Sequence, residues 1–89
     1  MTRAEKKENA RIVALGCIIC GGPAEIHHVR RLATSKKRER APKIPLCWLH
    51  HRDGGWGVAV HAGRATFEAQ FGTELELLQL VNALLTTGR

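Results

Sequence analysis

The chain has 89 residues, with 14 Lys and Arg against 8 Asp and Glu, a net charge of +6 and a sequence pI near 9.9. That length allows one domain, 1–89, and excludes a barrel enzyme or a dinucleotide fold. No stretch approaches the roughly 20 apolar residues that span a membrane, and no apolar segment follows the start, so neither a membrane span nor a signal peptide is expected. Only two Phe and two Trp are present, which excludes a large aromatic core. A chain this small buries about 60–65% of its unfolded surface and often needs a staple such as a metal. Its basic surface points to a polyanionic partner, most often nucleic acid.

Residues 2–15 read as a helix, with Thr2 and Glu5 at capping-box spacing and Ala4, Ile12, Val13 and Leu15 as a modest apolar face. Residues 1–12 form a basic N-terminal segment. Cys17-Ile18-Ile19-Cys20 is a knuckle, punctuated by Gly16 before it and Gly21-Gly22-Pro23 after it. Residues 24–29 read as a short strand in which Ile26 and Val29 bracket His27 and His28. Residues 30–43 are a basic loop holding Arg30, Arg31, Lys36, Lys37, Arg38, Arg40 and Lys43 against Glu39 alone. Its local charge equals that of the whole chain, so the rest sums to zero. Such a run reads as a solvated loop in the free protein and as a phosphate-contacting arm when a polyanion binds. Residues 44–47 read as a second strand entering Cys47-Trp48-Leu49-His50, and residues 48–52 as a helical turn broken by Asp53-Gly54-Gly55. Residues 58–61 read as a short extended piece. Residues 62–71 read as a helix with Phe67 and Phe71 four apart, stopped by Gly72. Residues 74–85 are the clearest helix, opened by Thr73 and Glu76. Its stripe is Leu75, Leu78, Val81, Leu84 and Leu85, widened by Leu77 and Leu80. This helix either packs over a small core or forms a dimer interface.

Three cysteines are too few and odd in number for a disulfide framework. Cys17, Cys20, Cys47 and His50 instead make a Cys3His set with two-residue spacers, enough to close a tetrahedral zinc site. A closed site of that kind is structural, and would replace the core the chain lacks. A redox role for Cys17 and Cys20 lacks the surrounding strand–CxxC–helix context. His27, His28, His51 and His61 are then in excess. Each alone has an ordinary reading: a solvent-facing strand residue for His27 or His28, an alternative zinc ligand or helix-surface residue for His51, packing on Trp56 for His61. Together, with a knuckle on either side, they point to a second site.

Cys17-x2-Cys20, then His27-His28, then Cys47-x2-His50 followed at once by His51, resembles the zinc-stapled HNH endonucleases, the ββα-metal or His-Me finger class. EIHHV, IPLCWLHHR and GVAVHAGRATFEAQFGTELELL together resemble its phage recombination-enhancement branch, the RecA-dependent Ref-like nucleases. The chain departs from the pattern in three ways. No Asn lies between His28 and Cys47, Gly55 stands where a last metal ligand usually follows the helix His, and the N-terminal extension is short. The resemblance implies an α+β fold, a small zinc-stapled ββα-metal domain with flanking N- and C-terminal helices. It implies a DNA endonuclease that hydrolyses phosphodiester bonds, leaving 5′-phosphate and 3′-hydroxyl ends. His28 would be the general base, since imidazole titrates near about 6.5 and suits proton removal at neutral pH. His27 and His51 would hold one catalytic divalent ion, Mg or Mn, with His61 as a third ligand. Spacing favours His50 for zinc and His51 for the second ion; a swap would leave the zinc with a three-residue spacer. Glu25 and Asp53 are the only acids near the cluster, too few for a two-metal carboxylate mechanism. Arg30 and Arg31, then Arg52, are the candidates for gripping the scissile strand, with Lys36, Lys37, Arg38, Arg40 and Lys43 on other phosphates. The implied partners are DNA and a RecA filament, with no small-molecule substrate, in the cytoplasm of a bacterial host. A non-catalytic zinc module binding nucleic acid, and an interaction domain using the 74–85 helix, are the alternatives.

Overall fold

The computed structural model describes residues 2–30 and 41–87. Helix α1 spans Arg3–Ala14 and begins where the sequence places a cap. Thr2 Oγ1 accepts from Glu5 N–H at 3.1 Å, and Glu5 Oε1 accepts from Thr2 N–H at 3.2 Å. Two orphan amides of the first turn are thereby satisfied. Of the expected apolar face, Ile12 is buried and Leu15 half-buried, whereas Ala4 and Val13 face solvent.

Strands β1 (Glu25–His28) and β2 (Lys43–Leu46) pair antiparallel, with Glu25 opposite Leu46 and His28 opposite Lys43. The second strand ends one residue earlier than its sequence suggests, because Cys47 leaves the ladder. Its carbonyl accepts from His51 N–H at 2.8 Å, the first bond of a helical turn. That turn, Leu49–Asp53, is π-helical and closes with Gly54 N–H donating to Leu49 C=O at 2.8 Å. Residues 58–61 do not form the expected extended piece; Ala59 alone is extended, between a turn and a 3₁₀ turn. Val58 and Ala59 both donate back to Gly55 C=O, at 3.0 and 2.9 Å, so neither of these amides is left for a partner strand. A 3₁₀ turn follows over Val60–Ala62. Its bonds occupy Ala62 and Gly63, so helix α2 starts at Arg64 rather than 62 and runs to Phe71.

Helix α3 spans Glu74–Thr86, with the Thr73–Glu76 capping box in place. Its buried stripe is the expected one only in part. Glu74, Leu77 and Val81 are buried, with Leu78 and Leu85 half-buried, while Leu75, Leu80 and Leu84 are exposed. The leucine-rich sequence allows either stripe; the one chosen brings Glu74 inside. The core holds Val29, Ile44, Leu46, Val60, Phe67, Leu77 and Val81, and the sulfurs of Cys17 and Cys47 belong to the same cluster. Phe67 is its one fully buried aromatic ring, and both tryptophans are exposed. The result is an α+β domain: a short antiparallel sheet, flanking helices and two groups of candidate metal-binding side chains.

Candidate metal centres

The first group is Cys17, Cys20, Cys47 and His50, whose ligating atoms all lie within 4.8 Å of one another. The first knuckle is shaped by its glycines. Gly16 has φ +79°, and a Cβ there would sit 2.8 Å from Gly21 C=O. Cys17 N–H donates to Gly22 C=O at 2.8 Å, Gly21 N–H donates to Cys17 C=O at 2.8 Å, and Ile19 N–H points at Cys17 Sγ, 3.4 Å away. The turn thus aims both sulfurs the same way. Cys20 Sγ lies 3.7 Å from Cys47 Sγ, and Cys17 Sγ 3.7 Å from His50 Nδ1. Ligands about 2.3 Å from a tetrahedral zinc stand about 3.8 Å apart, so the donors already lie near the edges of that tetrahedron. Cys47 Sγ and His50 Nδ1 are closer, at 3.0 Å. Burial disfavours the Cys17 thiolate, yet the amides of Cys47, Cys20 and Ile19 outweigh it and hold that thiol below its ordinary value. Burial pushes the Cys47 thiol up, and the neighbouring sulfurs add to this. The cysteines are not joined by disulfides. Donor type and spacing fit a structural zinc.

The second group is His27, His51 and His61, again within 4.8 Å. Successive residues of a helical turn point about 100° apart. His50 therefore faces the sulfurs while His51 faces the other way, the assignment that the knuckle spacer favours. Strand periodicity puts Glu25 and His27 on one face of β1, and both reach His51. His51 Nδ1–H donates to Glu25 Oε1 at 2.5 Å, and the His27 and His51 rings meet edge-on with centroids 5.1 Å apart. With its proton on Nδ1, His51 accepts at Nε2 from His61 Nε2–H, 3.1 Å away. Two nitrogens about 2.1 Å from a shared ion stand about 3.0–3.4 Å apart, so a small shift and the other His61 tautomer would admit one. Burial holds His51 below its ordinary pKa, against the pull of Glu25. Burial does the same to His61, helped by repulsion from His51 and His27. Both rings are thus kept neutral, as metal ligands must be. Glu25 is held below the usual carboxylate range by the His51 hydrogen bond, against some burial and with help from Arg52 at 3.5 Å.

A cavity of about 330 Å³ gathers this group: His27, His28, His51 and His61 line it with Arg30, Arg52, Arg64 and Glu74. His28 ends β1, half-buried. Two lining residues were missed from sequence. Arg64 opens α2 just after the Gly63 that follows the His61 turn, a place where a cation reads as ordinary helix surface. Glu74 lies at the start of α3, where an acid reads as complementing the helix dipole. It is instead buried, and its Oε2 lies 2.7 Å from His27 Nε2. The cleft therefore has an acid besides Glu25 and Asp53.

Lys43 departs from its expected place among the phosphate contacts. Its side chain is only 5% exposed, and its ammonium donates to Glu8 Oε1 at 3.0 Å and Asn9 Oδ1 at 2.9 Å. It ties β2 to α1. Trp56 packs on Gly63: a Cβ there would lie 3.3 Å from the indole. Arg31, Lys36, Lys37, Arg38 and Arg40 fall outside the described residues. Among the described residues, no helix is long and apolar enough to cross a membrane. No protein-family model, curated protein or solved structure matches the chain.

Proposed function

We propose that the chain is a divalent-metal-dependent DNA endonuclease of the HNH type, with a ββα-metal core stapled by zinc. One observation carries the reading. A single cavity collects all four histidines left over from the Cys3His group, together with three arginines. A structural zinc module has no use for three further clustered imidazoles. A phosphodiester hydrolase needs a base, an ion site and cations for the phosphate.

His27, His51 and His61 would hold the ion. When bound, it supplies Lewis-acid stabilisation to a non-bridging phosphate oxygen and the departing 3′ oxygen. The ligand group contains no carboxylate. Imidazole donors suit transition metals, whereas Mg prefers oxygen, so of the two ions implied by resemblance Mn fits better. His28, in the same cavity, would take the proton from the attacking water. The water oxygen bonds to phosphorus as the bond to the 3′ oxygen breaks, giving a 5′-phosphate and a 3′-hydroxyl. Arg30, Arg52 and Arg64 hold the phosphate and read no bases, so cleavage should show little sequence preference. The phage origin and the RecA partner come from the resemblance alone.

The test is nicking of supercoiled plasmid by zinc-loaded protein with Mn or Mg, with and without EDTA, beside His28→Ala. Metal-dependent nicking lost in His28→Ala is expected, with cuts spread over the plasmid. A repeat on DNA bound in a RecA filament covers dependence on that partner. DNA binding with no nicking in either format would instead make the chain a non-catalytic zinc module.

A further inference from the structure

We propose that Glu74 and Glu25 are positioning residues that lock His27 and His51 as ligands, so that α3 is part of the cleft's metal site. The inference rests on the cleft being an ion site, as proposed above.

His27 and Glu74 are two of four buried polar residues among those described, and His51 is a third. The side chains of His27 and Glu74 are 7% and 5% exposed, and they meet at 2.7 Å. A carboxylate in a core is costly unless it is paired, and a leucine at the same point of α3 would pack without that cost. Something other than apolar packing therefore accounts for the acid. Glu25 reaches the site from β1 and takes the Nδ1 proton of His51. Two carboxylates, from two elements, thus engage two different rings. Neither is in the group of atoms close enough to share an ion, which contains histidines only. They stand behind the ligands rather than among them.

The chemistry of imidazole says what this does. A neutral ring has one N–H and one lone pair. A carboxylate that accepts the N–H fixes the tautomer, stops ring rotation and makes the remaining lone pair more basic. For His51 the lone pair left over is on Nε2, the atom that faces His61. For His27, donation from Nε2 to Glu74 leaves the lone pair on Nδ1. Among the described residues no carboxylate anchors His61, which is oriented by His51 itself, so it should be the most replaceable ligand.

Losing an anchor of this kind typically weakens metal binding about 10–100-fold. The experiment titrates Co²⁺ into zinc-loaded protein and follows the visible absorption of the bound ion. Co²⁺ favours imidazole and binds more weakly than zinc, so it reports on the cleft while zinc keeps the thiolates. Glu74→Ala and Glu25→Ala should each weaken Co²⁺ binding about 10–100-fold, with zinc content unchanged. Glu74→Gln should recover part of the loss, because its amide oxygen still accepts from His27 without the charge. A merely structural Glu74 would lower thermal stability and leave Co²⁺ affinity alone. Folded, zinc-replete variants that bind Co²⁺ like the wild type would overturn the inference. Should Glu74→Ala fail to fold, Glu74→Gln and the half-exposed Glu25→Ala carry the same decision. Wild type that takes up no Co²⁺ beyond the zinc site removes the ion site and this inference together. Anchored Co²⁺ binding without nicking removes only the nuclease reading.

Discussion

Gly54→Ala should destabilise the domain, although the usual effect of such a change in a helical backbone is the reverse. Gly54 has φ −72°, which any residue adopts. Removing a glycine's freedom from the unfolded chain typically stabilises by about 0.4–1 kcal/mol. Here the new methyl has nowhere to go. It would run into Val58 Cγ1 and lie 2.5 Å from Leu49 C=O. A valine side chain alone could turn aside, but Leu49 C=O is the acceptor that closes the π-helical turn onto Gly54 N–H. Overpacking of this kind costs about 1–3 kcal/mol, which exceeds the entropic gain at all but the mildest clash. A domain of this size loses about 4–8 °C per kcal/mol. The expected midpoint, read by circular dichroism on zinc-loaded protein, is therefore several degrees below wild type. The turn also carries His51, so Co²⁺ binding in the cleft should weaken as well. Gly22→Ala is the control: its Cβ would meet only Cys20 Sγ, at an ordinary 3.5 Å. A Gly54→Ala protein as stable as wild type would refute the close-packed π turn.

Zinc loss should be global in effect. A structural zinc contributes about 10–16 kcal/mol, as much as the whole net stability of a small domain, about 5–15 kcal/mol. Cys17→Ala or a strong chelator should unfold the chain in far-ultraviolet circular dichroism, and a chain that stays folded without metal would remove the staple. Lys43→Met should be within about 1 kcal/mol of wild type, because replacing a buried ion by an apolar side chain of similar size is often close to neutral and Glu8 is free to solvate. It should leave DNA affinity unchanged, whereas Arg30→Ala weakens binding and reduces the salt slope by about 1. Fluorescence anisotropy at several salt concentrations reads both, and an equal loss from Lys43→Met would put that lysine in the interface. Protons compete with the cleft ion for His51 and His61, whose pKa values burial lowers. Lowered values keep the rings neutral to a more acid pH, so affinity should be flat above about pH 6.5, the ordinary imidazole value, and fall below it. A calorimetric Mn²⁺ titration that already weakens between pH 8 and about 7 would contradict this.

Both ligand groups were legible in the sequence because their logic is local. Two-residue spacers aim two donors at one point, and adjacent residues of a helical turn aim at different points, so the His50-His51 pair divides between the groups. The capping boxes at Thr2 and Thr73 were legible for the same reason. What escaped depends on tertiary packing. Glu74 and His27 are 47 residues apart, and they meet because the face α3 buries includes Glu74 beside Leu77 and Val81. Lys43 stands in a basic run, yet strand register turns it toward α1 and the Glu8 carboxylate. Residues 58–61 carry strand-like composition, but a strand needs a partner and Gly55 C=O claims the Val58 and Ala59 amides first.

In the function proposed above, catalysis belongs to the histidine cleft and folding to the cysteine knuckles. The most direct measurement is the rate of plasmid nicking by zinc-loaded protein as Mn²⁺ or Co²⁺ is added, for wild type and His51→Ala. The account predicts a rate that saturates as the second ion binds, and a His51→Ala protein that keeps its zinc and its fold but no longer nicks. Nicking that survives in folded His51→Ala, or none by wild type on free or RecA-bound DNA when both ions are present, would contradict it.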